Sequence, residues 1–533
     1  MLLGLGLGPA AWAQQEELPL KEGEIRFRAG NALEQIIING QKVRHFSGSV
    51  VAEQVGQTLY ANDVYQYENG RTVMVGGVRI DQGEGKQITG DSLILVGKNR
   101  VAQVRGNVVY TEGTRTLTTQ ALDYDPKTGT AIYTTGGTIN DNGTILTSRR
   151  GRYERSTGKM FFYGDVKMNG PEYSLATDSL HYNTASKMAD FFGPTTITNQ
   201  DGTVVSNRGS YNTETGVGKF AGRAGIESPD YRLEGDIVDF NRATGLGYAQ
   251  GKVRMFAKKD SVQLFGDKGW YVRKRGKARI QGNALIKAPS GTRGDTLYIR
   301  SDSLNAINDS AAGQRTLIAK SRVKIYQRDF QGICDSLSYE SADSTIRMYK
   351  APVLWAGKNQ TTADTIYARL ENNRMDSLIL IRNAFLISQD TLKNYNQVKG
   401  RRILADFANN KIQRAYVRGN GQSIYFAVDE EKLTLSGMNY IVCSNMVIRF
   451  DSANKLETIT ALVKPEAKFI PPKDIAEPER RLKGFNWNLS RRPTLKSVLQ
   501  SPQTTIQPKK SGKSQKKSTT FKPAKAKARL RTK

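Results

Sequence analysis

The chain has 533 residues, 51 of them Gly, and only 38% apolar residues. That composition, rich in Tyr and Thr and without long Leu/Ala/Glu patterns, argues against a helical protein and for β structure. Of the net charge of +29, 17 positive charges with no acidic residue lie between Arg480 and Lys533, so the other 479 residues carry +12. Two cysteines, Cys334 and Cys443, exclude a disulfide scaffold and leave open whether they pair.

The chain starts "MLLGLGLGPAAWAQQ". The apolar run and Ala11-Trp12-Ala13 predict a signal peptide over residues 1–13, although a basic n-region is missing. No later run approaches the roughly 20 apolar residues of a membrane span. The mature chain is therefore expected to be soluble, outside the cytoplasm and carried across one membrane.

From residue 14 the sequence repeats. Gly48, Gly77, Gly106, Gly136, Gly164, Gly193, Gly222, Gly251 and Gly282 follow one another at 28 to 31 residues. Each is expected to open a strand, because alternation follows: "GGVRI", "GNVVY", "GDVKM", "GKVRM". Val78, Ile80, Val108, Val166, Met168, Val253 and Met255 then share an apolar face, and Arg79, Lys167 and Arg254 the opposite one. Between strands stand turns such as "YDPKTG" (124–129), "YERSTG" (153–158), "YNTETG" (211–216) and "FNRATG" (240–245). Their Asn, Asp, Ser and Thr side chains bond the local backbone, and Gly supplies positive φ. Asp63, Asp91, Asp178, Asp236, Asp335 and Asp364 are expected to make strand-entry hydrogen bonds; their spacing does not suit a calcium roll.

Past about residue 290 the vocabulary changes, as in "DSLSYESADSTIRMY" (335–349) and "DSLILIRNAFLI" (376–387). The chain divides into a β-repeat array over 14–288, a second over 289–470, and a Pro-containing linker with a disordered basic tail over 471–533. No unit can bury its own apolar face, so the units must stack. The expected fold is all-β: a repetitive, solenoid-like stack of antiparallel strands whose facing sheets enclose a long apolar channel, a core if closed tightly and a groove if splayed.

Chemistry is sparse. The only histidines are His45 and His181, and His181 is expected on an outward strand face. No P-loop, CxxC or nucleophile elbow occurs, so neither an enzyme nor a metal or cofactor site is expected. The basic tail is expected either to contact anionic lipid or cell-wall polymer, not nucleic acid, or to be a solvated tail with no partner.

The Gly-Val repeat behind an apparent signal sequence resembles the OstA/LptA family of periplasmic lipopolysaccharide-transport proteins. The phrases "QGICDSLSY", "APVLWAGKNQTTADTI", "NQVKGRRILADF" and "GFNWNLSRRP" are similar to the larger OstA-like proteins of Bacteroidetes-type bacteria. That resemblance implies a twisted β-jellyroll of two facing antiparallel sheets, with an open apolar groove that holds lipopolysaccharide acyl chains. It also implies end-to-end joining to other transport components through edge strands. The seven apolar positions above are the groove-lining residues it implies. The alternative is an extracellular β-solenoid that binds polysaccharide or serves as a structural surface protein.

Overall fold

The computed structural model describes residues 19–500 except 22, 97–100, 291–293, 310–311, 372–373, 409–410, 430 and 452–455. The signal peptide expected at 1–13 and the tail beyond residue 500 lie outside the described residues.

The molecule is one antiparallel meander in which each strand pairs with the next in sequence. Of its 34 strands, twelve are halves of six bent strands, so 28 bent strands lie side by side. At about 4.8 Å per strand the row is about 130 Å long. Pairing continues through residues 288 and 289, where Lys277–Ser290 joins Asp295–Asp309, so both arrays share one sheet.

Each strand is folded near its middle. In Lys159–Asn169 the register with Tyr173–Asn183 shifts between Tyr163 and Val166. Equivalent shifts recur down the row, as between Gln250 and Val253 and between Gln281 and Ala284. A bulge bends a strand and increases its twist. Stacked bulges crease the whole sheet into a V with two limbs. We call the limb of Met160 and Phe162 the first limb and that of Val166 and Met168 the second.

This corrects the expected position of the repeat glycines. They do not open strands; they sit at the crease in mid-strand, all nine at positive φ. The crease also takes the aspartates. A Cβ on Gly193 would stand 3.0 Å from Asp178 Oδ2, and one on Gly106 would stand 2.9 Å from Asp91 Cβ. Asp236 faces Gly251 in the same way. Asp335 and Asp364 sit at the crease too, paired with Lys350 at 3.2 Å and Asn383 at 3.0 Å. Asp63 lies beside it and bonds His45 Nε2 at 2.9 Å. The alternating pattern survives because the bend inserts two residues between inward positions.

The turn assignments match the structure. Asn212 Oδ1 accepts from the backbone N–H groups of Glu214 and Thr215, and the Gly216 N–H donates to the Asn212 carbonyl. Asp125 organises "YDPKTG" in the same manner, through Lys127 and Gly129.

Residues 471–499 differ from the expected linker. They run back along the outside of the second limb as a strap. Ile475, Leu482, Phe485 and Trp487 pack on Phe385, Ile387, Ile424, Phe426 and Met438. Buried side chains pin the strap's backbone. Gln397 donates to the Arg480 carbonyl and accepts from the Leu482 N–H; Gln360 does the same with Asn486 and Asn488. Arg492 reaches Gln331, and Arg300 donates to the carbonyls of Val498 and Leu499. The second limb is thus buried on both faces here, which explains the changed vocabulary of the second array: "AFLIS" and "SIYFAV" have no solvent face.

Candidate functional site

The inner faces of the two limbs form one apolar seam, a single cluster running from Val50 to Ile448. Val78, Ile80, Val108, Val166, Met168, Val253 and Met255 all lie in it, none more than 4% exposed. All seven belong to the second limb. Met160, Phe162, Phe191, Phe220 and Val238 face them from the first. The groove expected to stand open is shut in this structure, because these side chains are long enough to meet across the V. Two small spaces lie along it, about 20 Å³ beside Tyr110, Tyr133 and Tyr153, and about 10 Å³ beside Val204, Tyr231 and Arg273. A concavity of about 620 Å³ lies away from the seam, on the crease near Lys350, Asp364 and Arg382.

The mouth of the V is the line where the turns of one limb meet those of the other. It is closed first by tyrosines. Tyr110 of the second limb approaches Tyr124 of the first at 6.0 Å between ring centroids. Tyr173 meets Tyr211 at 5.8 Å, and Tyr231 meets Tyr271 at 3.8 Å. The Tyr124 hydroxyl donates across the mouth to Gln82 at 3.0 Å. Burial pushes Tyr133 and Tyr173 up from about 10 to about 12, and Tyr110 and Tyr231 higher still.

Ion pairs close it a second time. Arg242, in a first-limb turn, stands 2.7 Å from Glu172 in a second-limb turn. Arg273 pairs with Asp201, and Arg315 with Asp260 at 2.5 Å. Arg155 lies 3.8 Å from Glu112, while Arg115 crosses the other way, 5.5 Å from the Tyr153 ring centroid. The partners belong to turns several strands apart, because the twist of the sheet carries one rim past the other.

Arg79, Lys167 and Arg254, which the alternation puts opposite the apolar face, are not at this mouth. Arg79 stacks on Tyr60 at 4.0 Å on the outer face of the second limb, which also carries Lys167 and Arg254, and Lys252 sits at the crease. The rim arginines nevertheless had a signature. Tyr153-x-Arg155, Phe240-x-Arg242 and Tyr271-x-Arg273 each precede the turn Gly by three residues, which places the aromatic in the seam and the guanidinium over it.

His181 is on the outer face of the first limb, with Phe161 and Phe192 at 4.8 and 4.9 Å. Cys334 and Cys443 are buried free thiols; burial, with Asp335 nearby, pushes Cys334 up to about 12 and so keeps it protonated. Among the described residues no helix is long and apolar enough to cross a membrane.

A long creased sheet with an apolar seam between its two limbs defines a class of elongated, non-globular β structure. Comparison with family models places it further. The model described as OstA-like protein matches residues 23–178 and 172–236. Residues 23–236 are thus similar to the OstA-like protein family, over less than half of the chain. A search of curated proteins gave no match. The same crease, turns and seam continue from 237 to the last strand, Glu466–Ile470.

Proposed function

We propose that this protein is a non-catalytic carrier that holds the acyl chains of lipopolysaccharide between the two limbs of its folded sheet. It moves that lipid across the periplasm toward the outer membrane. The observation that carries this reading is the unbroken seam of apolar side chains, about 130 Å long, along a chain whose first 236 residues include an OstA-like region. Each methylene withdrawn from water gains about 0.8 kcal/mol. An acyl chain inside the seam replaces limb-to-limb contacts with equivalent ones, so opening the V and filling it leaves apolar burial nearly unchanged. A uniform seam lets the chain advance without meeting water, and the drive comes from outside the protein.

Both ends of the sheet support assembly into a bridge with other transport components. The terminal strands, Ala32–Ile38 and Glu466–Ile470, each pair on one side only among the described residues. Ile37 and Phe469 are 75% and 61% exposed there. Such edges accept a further strand.

Mass spectrometry of lipids that co-purify with the native protein tests the proposal. It requires an acylated, phosphorylated glycolipid in stoichiometric amount, and recovery of lipid-free protein from intact envelopes would refute it. One observation favours a second reading, polysaccharide binding on the outside. Phe161, Tyr163 and Phe192 form a surface aromatic cluster around His181. Glycan affinity that persists after charge is introduced into the seam would select that reading.

A further inference from the structure

We infer that the rim arginines are anion stations for the phosphate of an amphiphile's head group, and that phosphate unlatches the mouth by displacing their carboxylate partners. This rests on the carrier reading and adds to it where the head group sits and what opens the V.

Three observations carry it. The first is position. With acyl chains in the seam, a head group must emerge along the mouth. There the first-limb turns present Arg155, Arg242, Arg273 and Arg315 in a row, each paired to a carboxylate of the opposite limb.

The second is unfilled bonding capacity. Among the described residues, Tyr110 Oη, Tyr211 Oη and Arg242 Nη1 are buried without a hydrogen-bond partner. Arg242 Nη1 is close to Glu172 but has no properly directed bond to it, and Tyr211 is only 1% exposed. A buried polar group without a partner is costly, and these groups lie at the mouth. The 10 Å³ space beside Arg273 and Asp201 lies at the mouth too, as does the 20 Å³ space beside Arg115 and Tyr110.

The third is charge. A phosphate monoester carries up to two negative charges and three acceptor oxygens, against one charge and two oxygens for a carboxylate. It satisfies a guanidinium and a neighbouring hydroxyl together. The side chain it displaces, Glu172, is already 64% exposed and returns readily to water. A neutral head group offers no such exchange and leaves the latches closed.

The test uses the full chain with two probes that share an acyl tail, tetradecyl phosphate and tetradecyl maltoside, and measures affinity by calorimetry. The wild type is expected to prefer the phosphate by roughly tenfold or more. Arg242→Gln with Arg273→Gln and Arg315→Gln is expected to abolish that preference while still binding the maltoside, which also shows that the variant is folded. Glu172→Gln with Asp201→Asn and Asp260→Asn removes the competitor and is expected to tighten phosphate binding by roughly tenfold. Equal affinities in the wild type, unchanged in the arginine variant, would overturn the station and leave the carrier standing. Failure of both probes to bind any of the three proteins would overturn the carrier and the station together.

Discussion

Arg242 and Glu172 lie 2.7 Å apart although one belongs to each limb of the V. No hydrogen-bonded ladder links their turns, so the pair is a direct tie across the mouth. Arg242 is the more buried partner, and Glu172 is largely exposed. A double-mutant cycle with Arg242→Ala and Glu172→Ala is expected to return a coupling below about 1 kcal/mol, falling further with salt. The same variants are expected to speed hydrogen exchange at turns 169–173 and 241–246 without lowering global stability by more than that amount. The mouth is thus held by many weak ties, which suits a seam that must open locally.

The crease predicts a sharper effect. Gly106 has φ +76°, and an added Cβ would stand 2.9 Å from Asp91 Cβ. Gly106→Ala is expected to cost more than the roughly 1–2 kcal/mol of left-handed backbone alone. Gly143, at φ +81° with nothing within 4 Å of an added Cβ, is the control. Chemical denaturation of both variants checks the difference, and equal losses would mean that the crease tolerates a side chain.

The strap is expected to detach as a unit. Gln397 is fully buried and makes bonds of 2.8 Å to both Arg480 and Leu482. Gln397→Leu leaves those backbone groups unpaired at a cost of about 1–3 kcal/mol each. Hydrogen exchange should rise over 475–499 while the first array keeps its protection.

Alkaline pH should loosen the seam. In the unfolded chain tyrosines lose their protons near pH 10, whereas Tyr133 and Tyr173 hold theirs to about 12. The folded state therefore binds more protons between these values. Its stability is complete below pH 10 and falls as pH rises from 10 to 12. Tyrosinate absorbance and melting temperature, followed together, should change over that window. Tyr133→Phe with Tyr173→Phe should make the fall shallower.

Much of this architecture could be read from residues. Period-two alternation at Val166 and Met168 places them inward, and Asn212 and Gly216 mark a turn, because both signals are local. The crease was misplaced because a positive-φ Gly in a mid-strand bulge looks like a strand beginning. What shows that the chain is still paired on both sides of Gly164 is the neighbouring strand, not the sequence. The strap was illegible for another reason. Gln360 and Gln397 bond to backbone more than 80 residues away, and backbone carries no sequence signal. The latches were half legible: the aromatic-x-Arg spacing is visible, but its acidic partners depend on twist.

The most direct test of the seam is photo-crosslinking at two neighbouring residues of one strand. Phe162 is 1% exposed in the seam, and Phe161 faces outward toward His181. With benzoylphenylalanine at each position in envelopes, lipopolysaccharide should be captured from residue 162 and not from residue 161. Capture from 161 alone, or from neither while the protein remains folded and abundant, would contradict an acyl chain between the limbs.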